Sequence, residues 1–361
     1  MSINLTIYSV EDLLLCEELL ENARKANNKK FSFNGRFGLA IKDTSSNVIN
    51  FLHNYFAGYT IISPKPDLIV ARNDGESYFI MVQILPRVKY ISINFDVWTQ
   101  DPQMFKKFEN AIREIYKKNM ATGPICGMNW AFRSQHGLTY HFLEELIEET
   151  IYDDAYPVIK EKWGSVDNFI KEYIKSDSSI LILQGKPGVG KSRFIRYFLS
   201  RFVLQNEISH IKMTGSPDVD ASGGHRSSVL YSTDQRLFES DEVFARFISS
   251  EERIFIVEDA DHVLKPRSDG NKDLHRFLTI SDGIFRAVGK KLIFTTNLPN
   301  IGDIDEALIR KGRCFAHLNF GTLSYEKTVA LANKINPNRT SQFDHKKSYT
   351  LAEIYDLVNN G

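Results

Sequence analysis

Ser179-Ile180-Leu181-Ile182-Leu183-Gln184, followed at once by Gly185-Lys186-Pro187-Gly188-Val189-Gly190-Lys191-Ser192, is the stretch on which the fold turns. The four consecutive aliphatic residues predict a strand buried on both faces of a parallel sheet. The eight residues after it fit G-x-x-x-x-G-K-[ST], a loop whose glycines let the backbone fold tightly around phosphate oxygens. Lys191 and Ser192 then open a helix whose amides face the anion. In that geometry Lys191 contacts the β- and γ-phosphates of a nucleotide and Ser192 holds Mg²⁺. Chance produces the motif in roughly one chain in a hundred of this length. The strand before it and the amphipathic run Arg193 to Leu204 after it argue further against an ordinary glycine turn.

Moving outward, Ile254-Phe255-Ile256-Val257 is a second apolar strand, and Glu258-Asp259-Ala260-Asp261 follows it. Carboxylates at the C-terminal end of a buried strand sit where open parallel sheets bind ligands. One carboxylate would orient the Mg²⁺ hydration shell and the next would polarise an attacking water. Any strand can end in an acidic turn, but the preceding phosphate loop favours the catalytic reading. Leu292 to Thr296 is another apolar strand with Asn297 at its tip, placed to reach a γ-phosphate or the water. The same asparagine, just before Leu298-Pro299-Asn300, also suits a plain turn. Beyond it, Asp303 or Asp305 is a good helix N-cap and Gly312 a good C-cap. Arg310 and Arg313 either complement that helix dipole or project across a subunit interface to stabilise phosphoryl charge; both readings stay open.

From about Asp153 onward, strands Ile180 to Gln184, Val229 to Ser232, Ile254 to Val257 and Lys291 to Thr295 alternate with helical stretches such as Val166 to Lys175. That alternation predicts an α/β parallel sheet covered by helices on both faces. Thr214 to Ser228, rich in Gly, Ser and Asp, reads as a mobile loop. Residues 1–150 have a different texture. Val10 to Ala26 has leucines on one helical face, Tyr59 to Ile62, Asp67 to Ala71, Tyr78 to Leu85 and Lys89 to Asp96 read as a meander, and Met104 to Asn119 as an amphipathic helix. Ile125 to Phe132 and Leu138 to Phe142 form a hairpin around Ser134-Gln135-His136-Gly137. These predict an α+β N-terminal domain over 1–150, then an α/β domain over 151–320, with two further helices, Tyr325 to Ile335 and Leu351 to Val358, in 321–361.

Composition narrows the function classes. The 361 residues carry 45 basic and 45 acidic side chains, a balance that disfavours a dedicated polyanion binder. The patch Lys106-Lys107 with Arg113, Lys117 and Lys118 could touch nucleic acid, though a solvated helix face is the simpler reading. Cys16, Cys126 and Cys314 are far apart and odd in number, which suggests a reducing compartment and no disulfide framework or zinc ribbon. His210, His225, His262 and His275 show no ligand spacing. No stretch has the roughly 20 apolar residues needed to span a bilayer, and no signal segment opens the chain, so a cytoplasmic protein is expected.

Four motifs in order over roughly residues 150 to 320 resemble the AAA ATPase superfamily: the phosphate loop, Glu258-Asp259, the Thr295-Thr296-Asn297 tip, and Asp305, Ala307, Leu308, Arg310, Gly312 and Arg313. Within it, Val257-Glu258-Asp259-Ala260-Asp261 and Phe277-Leu278-Thr279-Ile280-Ser281-Asp282-Gly283 look most like the branch of the mitochondrial Rieske-protein translocase and its soluble bacterial and phage relatives. That branch often carries Glu-Asp where most members have Asp-Glu. By position Glu258 takes the metal side and Asp259 the water, with Asp261 a competitor. The resemblance implies ATP, Mg²⁺, a small helical lid in 321–361, and a ring of about six or seven copies hydrolysing at their interfaces. Arg310 and Arg313 would act on a neighbour's ATP, and the N-terminal domain would choose a protein client in the cytoplasm, a host's if the chain is phage-encoded. A pore-lining loop should follow the second core strand, where Phe238 either grips a polypeptide or is buried. A DNA-handling accessory protein and a slow nucleotide-gated assembly protein are the alternatives.

Overall fold

The computed structural model describes residues 33–65, 67–73, 78–99, 101–121, 123–135, 137–147, 149–206, 229–282, 289–338 and 343–360. The helix expected over Val10 to Ala26, the loop expected over Thr214 to Ser228, and Cys16, His210 and His225 lie outside them. The described chain forms two compact units. One holds the described residues up to Ile125 together with Glu144–Leu146; the other holds Cys126–Leu143, Ile147–Asn206 and the described residues from Val229 onward.

The first unit runs β1 (Phe33–Ile41), α1 (Ser45–Tyr55), β2 (Thr60–Lys65), β3 (Leu68–Asn73), β4 (Tyr78–Pro86), β5 (Ile91–Thr99) and α2 (Pro102–Tyr116). Its sheet has the order β1-β5-β4-β3-β2 with every neighbouring pair antiparallel. Side chains alternate with period two, so Phe37, Leu39 and Ile41 on β1 and Ile91, Ile93, Phe95 and Val97 on β5 enter one core. Phe37 and Phe95, directly paired, stack with ring centroids 4.6 Å apart. The same core takes Val48 and Leu52 of α1 and Phe108, Ile112 and Tyr116 of α2, the latter at helical spacing. Asp101 starts α2 by accepting from the Gln103 amide at 2.8 Å, with Pro102 in the first turn. On the other side of the sheet, Arg36 is ion-paired with Asp96, whose burial pushes its carboxyl upward. The meander and α2 match expectation; β1 and α1 are additions.

The chain continues with β6 (Ile125–Ser134) and β7 (Gly137–Leu146), whose Ile125 and Glu144–Leu146 count with the first unit, and then, in the second unit, α3 (Pro157–Trp163), α4 (Val166–Lys175), β8 (Ile180–Gln184), α5 (Lys191–Asn206), β9 (Val229–Ser232), α6 (Glu242–Ser249), β10 (Ile254–Val257), α7 (Asp261–Leu264), α8 (Leu274–Asp282), β11 (Lys291–Thr296), α9 (Glu306–Ile309), β12 (Cys314–Asn319), α10 (Tyr325–Ile335) and α11 (Leu351–Asn360). The sheet order is β12-β8-β11-β10-β9-β6-β7. Strands β12, β8, β11, β10, β9 and β6 pair in parallel along it. Both faces are buried: Leu181 and Leu183 of β8 pack with Phe169 of α4 and Phe194 and Phe198 of α5, whereas Ile180 and Ile182 pack with Phe244 and Phe247 of α6 and Phe277 of α8. This is the mixed α/β architecture the apolar strand pattern predicts, with a parallel sheet between helical layers.

The hairpin β6–β7 departs from expectation. Its sequence reads as part of a domain over 1–150, yet β6 pairs with β9 through Met128–Val229, Asn129–Leu230 and Trp130–Tyr231 and extends the second sheet. Asn129 strengthens that placement by donating to Glu252 at 2.6 Å. The unit border therefore falls inside the hairpin region rather than after it. Helices α10 and α11 form where expected in 321–361, and Leu331, Leu351, Ile354 and Val358 share a core with α5. Among the described residues no helix is long and apolar enough to cross a membrane.

Candidate functional site

The phosphate loop joins β8 to α5 in the conformation its glycines permit. Gly185 has φ +151, and a Cβ there would meet the Phe320 carbonyl oxygen at 2.3 Å. At Gly190, with φ +95, a Cβ would stand 2.6 Å from Leu351 of α11. Only glycine satisfies both backbone and space at these positions. Val189 turns inward and is buried, while Lys186, Pro187 and Gly188 are exposed. Lys191 begins α5, and its ammonium donates to the carbonyls of Gly185 at 2.5 Å and Lys186 at 3.2 Å and to Asn297 Oδ1 at 2.8 Å. Partial burial pulls the Lys191 pKa below its ordinary value, and Asp259, Asp261 and Glu258 oppose that shift.

Parallel pairing brings the ends of β8, β10 and β11 to one edge, and the acidic run after β10 meets the loop there. Ser192 Oγ donates to Glu258 Oε1 at 3.0 Å. The second oxygen, Oε2, accepts from the Tyr231 hydroxyl of β9 at 2.8 Å. Asp259 has φ +51 and is the one non-glycine residue with positive φ among those described. Such backbone costs on the order of 1 kcal/mol or more and is retained where neighbouring contacts enforce it. Here its amide donates to Thr295 Oγ1 at 3.0 Å and its carboxylate accepts from Asn297 Nδ2 at 3.2 Å. Asp261 is used differently: one oxygen accepts from Thr296 Oγ1 at 2.5 Å and from the Asn297 amide at 3.0 Å. It ties α7 to the tip of β11, whereas Asp259 meets the Asn297 side chain.

These groups line a cleft of about 620 Å³ whose far wall is α11, through Leu351, Ala352 and Tyr355. The Ala352 amide donates to the Gly188 carbonyl at 2.9 Å, so the last helix is bonded to the loop itself. Arg193 lies over the Tyr355 ring at 3.9 Å and pairs with Glu149 at 2.8 Å. Five expected residues, Lys191, Ser192, Glu258, Asp259 and Asn297, thus share one cavity wall. Arg310 and Arg313 do not line it. Arg310 is exposed, whereas Arg313 donates to the Ala307 carbonyl in the first turn of α9.

Of the two readings of Phe238, the buried one holds. It is fully buried, with Phe277 at 5.3 Å and Phe255 at 6.1 Å between ring centroids, and has no surface to offer a polypeptide. His262 packs on its ring at 5.8 Å, and His275 bonds the Lys272 carbonyl at 2.7 Å on the surface. Among the described residues no cluster of three or more His, Cys, Asp or Glu could hold a metal by itself. Tyr231, Arg193, Leu351, Ala352 and Tyr355 were not identified from sequence. Arg193 follows Ser192 on α5, whereas the pairing of β9 with β10 brings in Tyr231 and the packing of α11 brings in Leu351, Ala352 and Tyr355.

A phosphate loop at the edge of a parallel sheet, faced by paired carboxylates and an asparagine, defines a P-loop nucleotide-binding domain. A sequence profile of the ATPase family associated with various cellular activities (AAA) matches residues 181–322, the span from β8 to just beyond β12, and supports an ATP-binding domain of the AAA ATPase kind there. No curated protein matches the chain.

Proposed function

We propose that this chain is an Mg²⁺-dependent ATPase that couples turnover to remodelling of a macromolecular client. The observation that carries the reading is the convergence of Lys191, Ser192, Glu258, Asp259 and Asn297 on one cleft. Lys191 is a cation held by neutral oxygens of its own loop, which β- and γ-phosphate oxygens would replace with charge-assisted bonds. Ser192 Oγ and Glu258 Oε1, 3.0 Å apart, fit two neighbouring corners of a small hard cation's octahedron, in which metal–oxygen distances are about 2.1 Å and phosphates and water fill the rest. Bound there, Mg²⁺ would neutralise charge on the phosphate oxygens. Asp259 is the group we assign to orienting the attacking water and taking up its proton. Asn297 links it to Lys191, donating to one and accepting from the other, and so orders the cation and the base together.

Arg310, exposed beyond α9, is suited to a neighbouring copy's cleft in a homomeric ring, with the first unit choosing a protein client. In this reading the acidic motif and the α8 sequence resemble those of the soluble bacterial and phage relatives of the Rieske-protein translocase, and the chain works in the cytoplasm. Neutral overall charge makes nucleic acid the less favoured client. The test is ATP binding by calorimetry and phosphate release for the wild type and Lys191→Ala. Wild type should bind and hydrolyse with Mg²⁺, and the variant should lose about 100-fold or more in affinity or turnover. Wild-type turnover by Lys191→Ala would refute the site. For the client, an Asp259→Asn trap in ATP should be a ring with protein bound, by electron microscopy and mass spectrometry; a monomer holding nothing would refute remodelling.

A further inference from the structure

Glu258 is held at both carboxylate oxygens, by Ser192 at 3.0 Å and Tyr231 at 2.8 Å. The second contact is a product of register. Tyr231 of β9 pairs with Ile256 of β10, two residues before Glu258, and the Glu258 amide donates to the Ser232 carbonyl at 3.0 Å. The Tyr231 ring packs on the same core as α5, so its hydroxyl is carried on an anchored lever. Tyr231 does not itself line the cleft and reaches it only through Glu258.

A glutamate has one more rotatable bond than an aspartate, and a carboxylate gripped at a single oxygen would spread over several rotamers. We infer that Tyr231 is a positioning residue: its hydroxyl pins Oε2 of Glu258, keeps Oε1 beside Ser192, and thereby sets how strongly Mg²⁺ tightens nucleotide binding. The inference rests on the reading that Glu258 stands on the metal side of the cleft. A phenol donating to a carboxylate is a charge-assisted bond, stronger than one between neutral groups. The longer Glu258 can span both Ser192 and Tyr231, and a shorter aspartate could not keep both.

The experiment titrates a fluorescently labelled ATP into the full chain, in Mg²⁺ and in EDTA, for wild type, Tyr231→Phe, Glu258→Gln, Glu258→Asp and the Glu258→Asp/Tyr231→Phe pair. Tyr231→Phe should keep its EDTA affinity within about twofold and lose roughly three- to tenfold of the Mg²⁺-dependent tightening. In the Glu258→Asp background the same change should add no further loss. Equal weakening of Tyr231→Phe in both buffers would mean a merely structural role and overturn the inference, as would unchanged Mg²⁺ dependence. If Glu258→Gln loses the Mg²⁺ effect while Tyr231→Phe keeps it, the positioning role alone fails. If Glu258→Gln also keeps it, the metal-side reading fails and takes the inference with it.

Discussion

The two sheets bury comparable apolar strands but put their polar ends in different places. In the first sheet neighbouring strands run antiparallel, so the ends of β1 and β5 point to opposite edges and successive loops alternate between them. In the second sheet β8, β10 and β11 run parallel, and their C-terminal ends deliver the phosphate loop, Glu258-Asp259 and Asn297 to one edge. The strand ends, not the size of the core, gather these polar groups into one cleft in the second sheet. The opposite edge of the second sheet is different again. There Lys291, at the start of β11, is buried and donates to the carbonyls of Ser176 at 2.7 Å and Ser178 at 3.0 Å, a structural arrangement.

The largest effect that would sharpen this contrast is in the first sheet. Phe37→Ala removes a fully buried ring stacked on Phe95 and should cost about 3–5 kcal/mol in thermal or urea unfolding. At a temperature where the variant is folded, its ATP affinity should stay within about twofold. A large loss of affinity in folded protein would break the division of labour.

A smaller effect concerns Lys291. Burial lowers its pKa to about 8, against Asp177, which opposes the shift. The unfolded chain still holds this proton up to its ordinary pKa near 10.4, so unfolding takes up a proton in between and stability from this group rises with pH from about 8 to 10. The gain should be of order 2 kcal/mol, read as a rising unfolding midpoint in wild type and a flatter one in Lys291→Met. Parallel curves for the two proteins would contradict it.

The smallest effect separates the arginines. Arg313→Ala should cost about 1 kcal/mol of stability through the lost bond to Ala307, while Arg310→Ala should leave the melting temperature within error and lower only turnover of the assembled protein. Equal destabilisation by both would contradict the distinction drawn between them.

Much of the second sheet was legible because its strands are uninterrupted apolar runs with distinctive chemistry at their tips. Ile180 to Gln184 and Ile254 to Val257 match the observed strands residue for residue. The first sheet was less so: Asn34, Gly35, Arg36 and Gly38 dilute the β pattern of β1, and only its pairing with β5 makes it a strand. The hairpin β6–β7 was legible as a hairpin, but nothing local states which sheet it joins, since its partner β9 lies about a hundred residues on. Tyr231 gave no signal for the same reason. Asp259 and Asp261 lie two residues apart in sequence, and their different partners, the Asn297 side chain for one and Thr296 with the Asn297 amide for the other, show only in the fold, where Asp259 takes a positive φ.

The most direct measurement is phosphate release and ATP binding by Asp259→Asn beside wild type, in Mg²⁺. The account predicts that binding stays within a few-fold while turnover falls about 100- to 1,000-fold, since the base is lost and the phosphate loop is intact. An Asp259→Asn protein that hydrolyses ATP at the wild-type rate would contradict the claim that the ends of the parallel strands form the hydrolytic site.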